Sequence, residues 1–130
     1  MNPEYVADTM AMILCLEQRR MPPAVKEIFQ NLEKGLTTLA VPAMGVAELA
    51  YLSEKKRIQT NLPELFKYVA DHECCSIAPL TGDIIQHAFK IYDIPELHDR
   101  LIAATTLHFN SILITNDPII RASVFLRTIW

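Results

Sequence analysis

Residues His98 to Ile120 read HDRLIAATTLHFNSILITNDPII, with Asp99 ahead of an apolar helical segment and Asp117 just after an apolar strand-like run. A helix of about 10 residues opening at Asp99 travels about 15 Å away from it, at about 1.5 Å per residue. Ser111 to Thr115, as a strand rising about 3.3 Å per residue, travels roughly the same distance back. The unit is an excursion that returns Asp117 to the neighbourhood of Asp99. Two carboxylates brought together need a reason, because like charges raise each other's pKa.

Outward from this unit the same alternation repeats. Tyr5 to Ala7 predicts a short strand ending at Asp8, followed by a helix over Thr9 to Arg19 with Met10, Ile13, Leu14 and Leu16 inward. Pro22-Pro23 ends it and starts a second helix, with Val25, Ile28, Phe29 and Leu32 at helical spacing and Gly35 as its stop. Thr38 to Val41 predicts a buried strand, and Pro42 then opens a helix through Val46, Leu49 and Tyr51. Its far end is Lys55-Lys56-Arg57, cations that suit the negative end of a helix dipole. Asn61 and Pro63 start another helix with Leu65, Phe66 and Val69 as its apolar face, and Cys75 to Ala78 predicts a third strand. Thr81 caps a helix containing Ile84, Ile85, Ala88, Phe89 and Tyr92. Asn110 supplies the left-handed turn at the end of the helix after Asp99, and Val124 to Trp130 predicts a last edge strand. Short apolar strands alternating with helices indicate an α/β fold, a parallel sheet covered on both faces. In such sheets ligands bind at the carboxyl ends of the strands.

Four acids fall where that edge would be. Asp8 follows the first strand, Glu48 lies in the second turn of the helix after the second, Asp99 heads the helix into the fourth, and Asp117 follows the fourth. Four converging carboxylates repel one another unless a cation joins them. Mg²⁺ or Mn²⁺ fits, as a hard ion that takes oxygen ligands and keeps several waters. Most of the fifteen acids read as solvated surface charges, among them Glu4, Glu17, Glu33 and Glu64. Asp83 reads as a first-turn helix acid. Asp93 and Glu96 read as loop charges, Glu96 being the nearer to the site. Asp99 taken alone reads equally well as a helix N-terminal acid.

Bulk properties bound these readings. A chain of 130 residues forms one domain with a core that needs no staples. The apolar share of 51% points to a well-buried sheet or a self-association surface. No stretch approaches the roughly 20 uncharged residues of a membrane span, and MNPEYVADTM lacks the basic-then-apolar order of a secretory signal. Three cysteines, two of them adjacent at Cys74 and Cys75, argue against a disulfide framework and for a reducing, cytoplasmic setting. The net charge is −3; with four acids committed to a metal the remainder is −3 + 4 = +1, so charge does not exclude a polyanionic substrate.

YVADT at Tyr5–Thr9, AEL at Ala47–Leu49, HDRLIAAT at His98–Thr105 and LITND at Leu113–Asp117 together resemble the PIN domain family, and within it most resemble the VapC-type toxin ribonucleases of toxin–antitoxin pairs. The resemblance covers essentially the whole chain, residues 1–130, and its specific part is the HDRLIAAT–LITND pair. It implies a three-layer α/β/α fold and metal-dependent endoribonuclease activity. Asp8, Glu48, Asp99 and Asp117 would be the acidic quartet holding one or two Mg²⁺ or Mn²⁺ ions, with Thr9 and Thr115 as supporting hydroxyls. A homodimer and a small antitoxin are the partners it implies. Asn110 stands where the family often has glycine, and Pro118 after the last acid is less usual.

A metal on a phosphodiester neutralises the developing charge and lowers the pKa of a bound water, so no side-chain nucleophile is required. Arg100 and Arg121 are candidates for RNA phosphates, along with Arg19, Arg20 and Lys55 to Arg57. Arg100 pairs equally well with a carboxylate, and Lys55 to Arg57 read first as a solvated helix end. The face carrying Met12, Cys15, Leu16 and Arg19 suits either an antitoxin tail or a dimer seam. His72, His87 and His108 have no zinc-like spacing with the cysteines, and His98 reads as a capping or loop residue. A phosphorelay receiver requires an acidic pair after the first strand and a late lysine; neither is present after Ala7 or beyond Lys90. A non-catalytic binding module on the same fold remains the alternative.

Overall fold

The computed structural model describes residues 2–130. Five strands, β1 (Tyr5–Ala7), β2 (Leu39–Pro42), β3 (Cys75–Ala78), β4 (Ile112–Ile114) and β5 (Arg127–Ile129), form one sheet in the order β3-β2-β1-β4-β5. Every pairing is parallel, with Val6 opposite Ala40 on one side and Leu113 on the other. The helices are α1 (Thr9–Leu16), α2 (Pro23–Glu33), α3 (Ala43–Glu54), α4 (Leu62–Asp71), α5 (Gly82–Ala88), α6 (Leu97–Phe109) and α7 (Pro118–Arg121).

The period of two along each strand divides the core into two layers. Ala7, Leu39, Val41, Cys75 and Ile114 pack with Met12, Ile13, Val25, Phe29, Leu32 and Leu65 from α1, α2 and α4. Val6, Ala40, Ala78 and Leu113 pack on the other face with Ile84, Ala88 and the apolar side of α6. The result is a three-layer α/β/α fold, as the sequence predicts.

Several expectations are corrected. α1 ends at Leu16, before Arg19. Its phase places Met12 at 0% exposure against the sheet and leaves Met10 48% exposed. Met12 therefore belongs to the core and not to a partner-facing surface. α6 begins at Leu97, so Asp99 is its third residue rather than its opening one; the Glu96 side chain is the cap and accepts from the Asp99 amide at 2.7 Å. α5 stops at Ala88, which puts Phe89 and Tyr92 outside it and exposed, and Phe66, Tyr51 and Ile85 also face solvent. Pro118 opens the short helix α7, where a missing amide hydrogen costs nothing.

Four acids read as surface charges are structural. Glu17 accepts from the Gln59 and Thr60 amides, tying α1 to the loop before α4. Asp93 holds Ser123 and Val124 ahead of β5. Glu33 accepts from Tyr68 and Glu64 from Thr60. Apart from Glu64, whose partner is four residues away, local sequence does not carry these roles, since the partners lie on other elements. The left-handed residue ending α6 is Asn110, with φ 53°, as expected. All three cysteines are free, and Cys75 is the buried one of the adjacent pair.

Candidate active site

β1 and β4 are neighbours whose chains leave the sheet in different directions, which opens a crevice at their carboxyl ends. The Asp8 amide extends their ladder by donating to the Ile114 carbonyl at 3.1 Å. Asp8 then caps α1: its Oδ1 accepts from the Ala11 amide at 2.8 Å. Asp117 caps α7 in the same way, its Oδ1 accepting from Ile119 and Ile120 at 2.9 and 3.0 Å. The two aspartates beside the central strands thus have one oxygen each committed to a helix start.

Thr115 joins them. It is wholly buried, its hydroxyl sits beside the Asp8 carboxylate and holds that group's pKa down, and its Oγ1 accepts from the Asp117 amide at 3.1 Å. On the other wall the Thr9 hydroxyl donates to Glu48 Oε1 at 2.9 Å. Asp8, Thr9, Glu48, Asp99 and Asp117 all line one cleft of about 330 Å³. Residues far apart in sequence converge there, as the opening unit predicts. Met10, Leu52, Ile102, Asn116 and Ile120 complete the lining and were not singled out from sequence. Asn116 was legible within LITND; the apolar wall was not, because helical phase had to be known first.

The electrostatics of the cleft are those of negative charge without enough compensation. Burial raises the pKa of Asp8, the hydrogen bonds from Thr115 and Ala11 offset part of this, and Asp117 raises it further. Burial also raises Glu48, against the Thr9 hydrogen bond and the His98 imidazole. Asp99 is pushed up to about 6 by burial and then by Glu96, Asp117, Glu48 and Asp8. Glu96 itself is held low: the Asp99 and His98 amides and the His98 ring outweigh its own desolvation. Among the described residues, no protein group donates to the Asp99 carboxylate, while its amide is committed to Glu96.

This donor set fits a hard divalent cation. It is all oxygen, and three of its members already carry raised pKa values that a cation would relieve. Among the described residues no three acidic, histidine or cysteine side chains are grouped closely enough to hold a metal ion by themselves. An ion in this cleft would need water to complete its shell.

A pH test follows. The Asp99 carboxyl lies at about 6 in the fold against an ordinary 3.8. Its contribution to stability is therefore complete below about pH 4 and is lost as pH rises through about 6. Screening at this half-exposed group limits the effect to about 1 kcal/mol. In metal-free thermal unfolding, wild type and Asp99→Asn should melt nearly together at pH 4, and wild type should fall progressively below the variant as pH rises to 6.5. Saturating Mg²⁺ at pH 7 should raise the wild-type Tm and leave that of the variant nearly unchanged.

Gly45 sets the approach of α3 to Thr9: a Cβ there would lie 3.3 Å from Thr9 Oγ1. Gly45→Ala should gain up to about 1 kcal/mol of helix propensity. Thr9 Oγ1 must yield by a few tenths of an ångström to admit the methyl, which disturbs its hydrogen bond to Glu48. Thermal melts of the variant should therefore show less than that full gain.

Arg100 does not pair with a carboxylate. Its guanidinium donates to the carbonyls of Ile94 and Pro95 at 2.8 and 3.1 Å and lies over the Phe89 ring. Arg121 is exposed in the last turn of α7 and outside the lining of the cleft. No described helix is long and apolar enough to cross a membrane.

Comparison with known proteins extends this picture. A chain in the DNA-bound VapBC2 structure from Rickettsia felis superposes with a TM-score of 0.74 at 20% identity, covering 97% of this chain and 98% of that one. DNA-bound VapBC from Salmonella typhimurium gives 0.71 at 16% identity, with 98% and 97% covered. FitAcB from Neisseria gonorrhoeae gives 0.66 at 16% identity, with 97% and 96% covered. At these identities the likeness is one of fold. Among curated protein sequences there is no significant match. The PIN domain model matches residues 5–125, a span that holds β1 to β4 and all four acids of the cleft, and the chain therefore belongs to the PIN domain family, whose members are in general nucleases.

Proposed function

We propose that residues 1–130 form one PIN-type nuclease domain, a Mg²⁺- or Mn²⁺-dependent endoribonuclease that hydrolyses RNA phosphodiester bonds and serves as the toxin of a cytoplasmic toxin–antitoxin pair. One observation carries the reading: the Asp99 carboxylate, half-buried and without a protein donor, faces Asp8, Glu48 and Asp117 across one cleft. Such an arrangement is costly to folding and useful only with a cation present.

Asp8, Asp99 and Asp117 would hold the ion, and Glu48 would act through water. When bound, a divalent cation neutralises charge on the phosphoryl oxygens and acidifies a coordinated water. The chain's own groups do the rest. Thr115 fixes the rotamer of Asp8 and, through the Asp117 amide, the loop carrying Asp117. Thr9 holds Glu48 through one oxygen, and the other would accept a proton from the attacking water. Met10, Leu52, Ile102 and Ile120 narrow the cleft and limit bulk water.

The partners follow the same reading. The structural relatives are toxin–antitoxin assemblies, and a groove of about 680 Å³ running past Cys15, Leu16, Arg19, Phe29 and Tyr68 is suited to an antitoxin segment. A homodimer would account for exposed Phe89, Tyr92 and Val124. The test is cleavage of single-stranded RNA during a metal titration. Cleavage should need Mg²⁺ or Mn²⁺, stop with chelator, and fall at least 100-fold in Asp99→Asn. A non-catalytic binding module on this fold would bind RNA or protein and cleave nothing at any metal concentration.

A further inference from the structure

α1 and α3 end in the same way. At the end of α1 the Gln18 amide donates to Cys15 and the Arg19 amide to Leu14, with Gln18 at φ 52°. At the end of α3 the Lys56 amide donates to Ser53 and the Arg57 amide to Leu52, with Lys56 at φ 56°. Both are the paired-bond turn that normally places glycine in the left-handed position and an apolar residue after it. The ends of α2 and α6 use Gly35 and Asn110 there. Here a glutamine and a lysine occupy the strained position, and each is followed by an arginine. Left-handed backbone is thus tolerated at two residues that are not glycine, and a cation follows each.

The two ends meet. Arg19, Lys56 and Arg57 line one hollow of about 500 Å³ with Glu17, Ile58 and Gln59. Glu17 is already engaged by the Gln59 and Thr60 amides at 2.9 and 3.0 Å, and Arg19 lies 3.7 Å from it. The hollow thus carries three cations and one carboxylate, and that carboxylate is tied to backbone. The end of α3 links the hollow to the acidic cleft: Leu52 lines the cleft, and its carbonyl accepts from the amide of Arg57, which lines the hollow, at 3.0 Å. Lys56 lies about 6 Å further along the axis of α3 than Leu52.

We infer that this hollow binds the sugar-phosphate backbone of the single-stranded RNA whose scissile phosphate lies in the acidic cleft, with Arg19, Lys56 and Arg57 holding phosphates next to the cut. The inference rests on the nuclease reading for the identity of the strand. It gives a net-acidic chain a local positive path leading to a negative site. It also supplies the phosphate contacts that Arg100, committed to carbonyls, does not.

The test separates binding from cleavage. A labelled mixed-sequence 20-nucleotide single-stranded RNA is titrated with Asp8→Asn protein, without divalent metal, across a range of salt. Adding Arg19→Gln and Arg57→Gln should weaken binding about 10-fold and reduce the log–log salt slope by about 1.4, near 0.7 for each lost contact on a single strand. Lys34→Gln with Lys90→Gln, which makes the same charge change elsewhere, should leave the slope unchanged. Equal slopes for both pairs, an unchanged slope in the arginine pair with its Tm retained, or no binding by Asp8→Asn would each overturn the inference. Wild-type protein that binds as described yet cleaves no RNA at any Mg²⁺ or Mn²⁺ concentration would remove the nuclease reading alone.

Discussion

Asp8→Asn should lower Mg²⁺-dependent RNA cleavage by at least 1,000-fold while leaving Tm unchanged or higher. The substitution is chosen because asparagine caps a helix as well as aspartate does, so the bond to the Ala11 amide survives. What is lost is one negative charge in a cleft where burial already disfavours it and Asp117 adds repulsion. A structural role as a cap predicts no loss of activity, and a catalytic role predicts nearly complete loss. Asp117→Asn makes the same distinction on the other side of the site, where the cap of α7 is kept. Circular dichroism melts beside a cleavage assay provide both readouts.

Thr115→Val is the second large effect. Valine matches threonine in shape, so the buried position stays filled. The hydroxyl, however, serves two groups: the Asp8 carboxylate and the Asp117 amide. Leaving a part-buried amide without its acceptor and a part-buried carboxylate with less support should cost about 1–2 kcal/mol in urea unfolding. Activity should fall about 10- to 100-fold. The sign of the pH effect is fixed. A donor to the charged form holds a pKa down, so its removal raises Asp8 further and moves the acid limb of the pH–rate profile upward. Thr115→Ser should restore the limb, because it restores the hydroxyl. A purely steric role for Thr115 would leave the limb in place in both variants.

Much of this site could be read from sequence because a parallel sheet turns order along the chain into position in space. Asp8 and Asp117 follow their strands within a few residues, so once Tyr5–Ala7 and Ile112–Ile114 are strands, both acids must lie at one edge. Asp99 was placed by the length of the excursion alone, and the two-residue difference in where its helix begins did not matter. Glu48 was harder. It depends on the rotation of α3, which tertiary packing such as the close approach of Gly45 to Thr9 reveals and no local pattern does.

What stayed hidden has a common cause. Arg100 beside Asp99 looks like an ion-pair partner, yet successive residues on a helix point about 100° apart, and its side chain turns to the Ile94–Pro95 loop. Met10 and Met12 exchange places between surface and core for the same reason, since the Asp8 cap fixes the phase of α1. Glu17 and Asp93 find backbone amides on elements remote in sequence, and composition gives no sign of either. The strained Gln18 and Lys56 look like ordinary polar residues until their backbone angles are known. Periodicity locates elements; it does not rotate them.

The central claim is that the carboxylates of Asp8, Asp99 and Asp117 form a binding site for a divalent metal. Its most direct test is anomalous diffraction from crystals grown with Mn²⁺. The account predicts a peak in the cleft with carboxylate oxygens at about 2.1–2.2 Å from it, filled out by water. A cleft empty of anomalous signal at saturating Mn²⁺, with manganese bound elsewhere or nowhere, would contradict it.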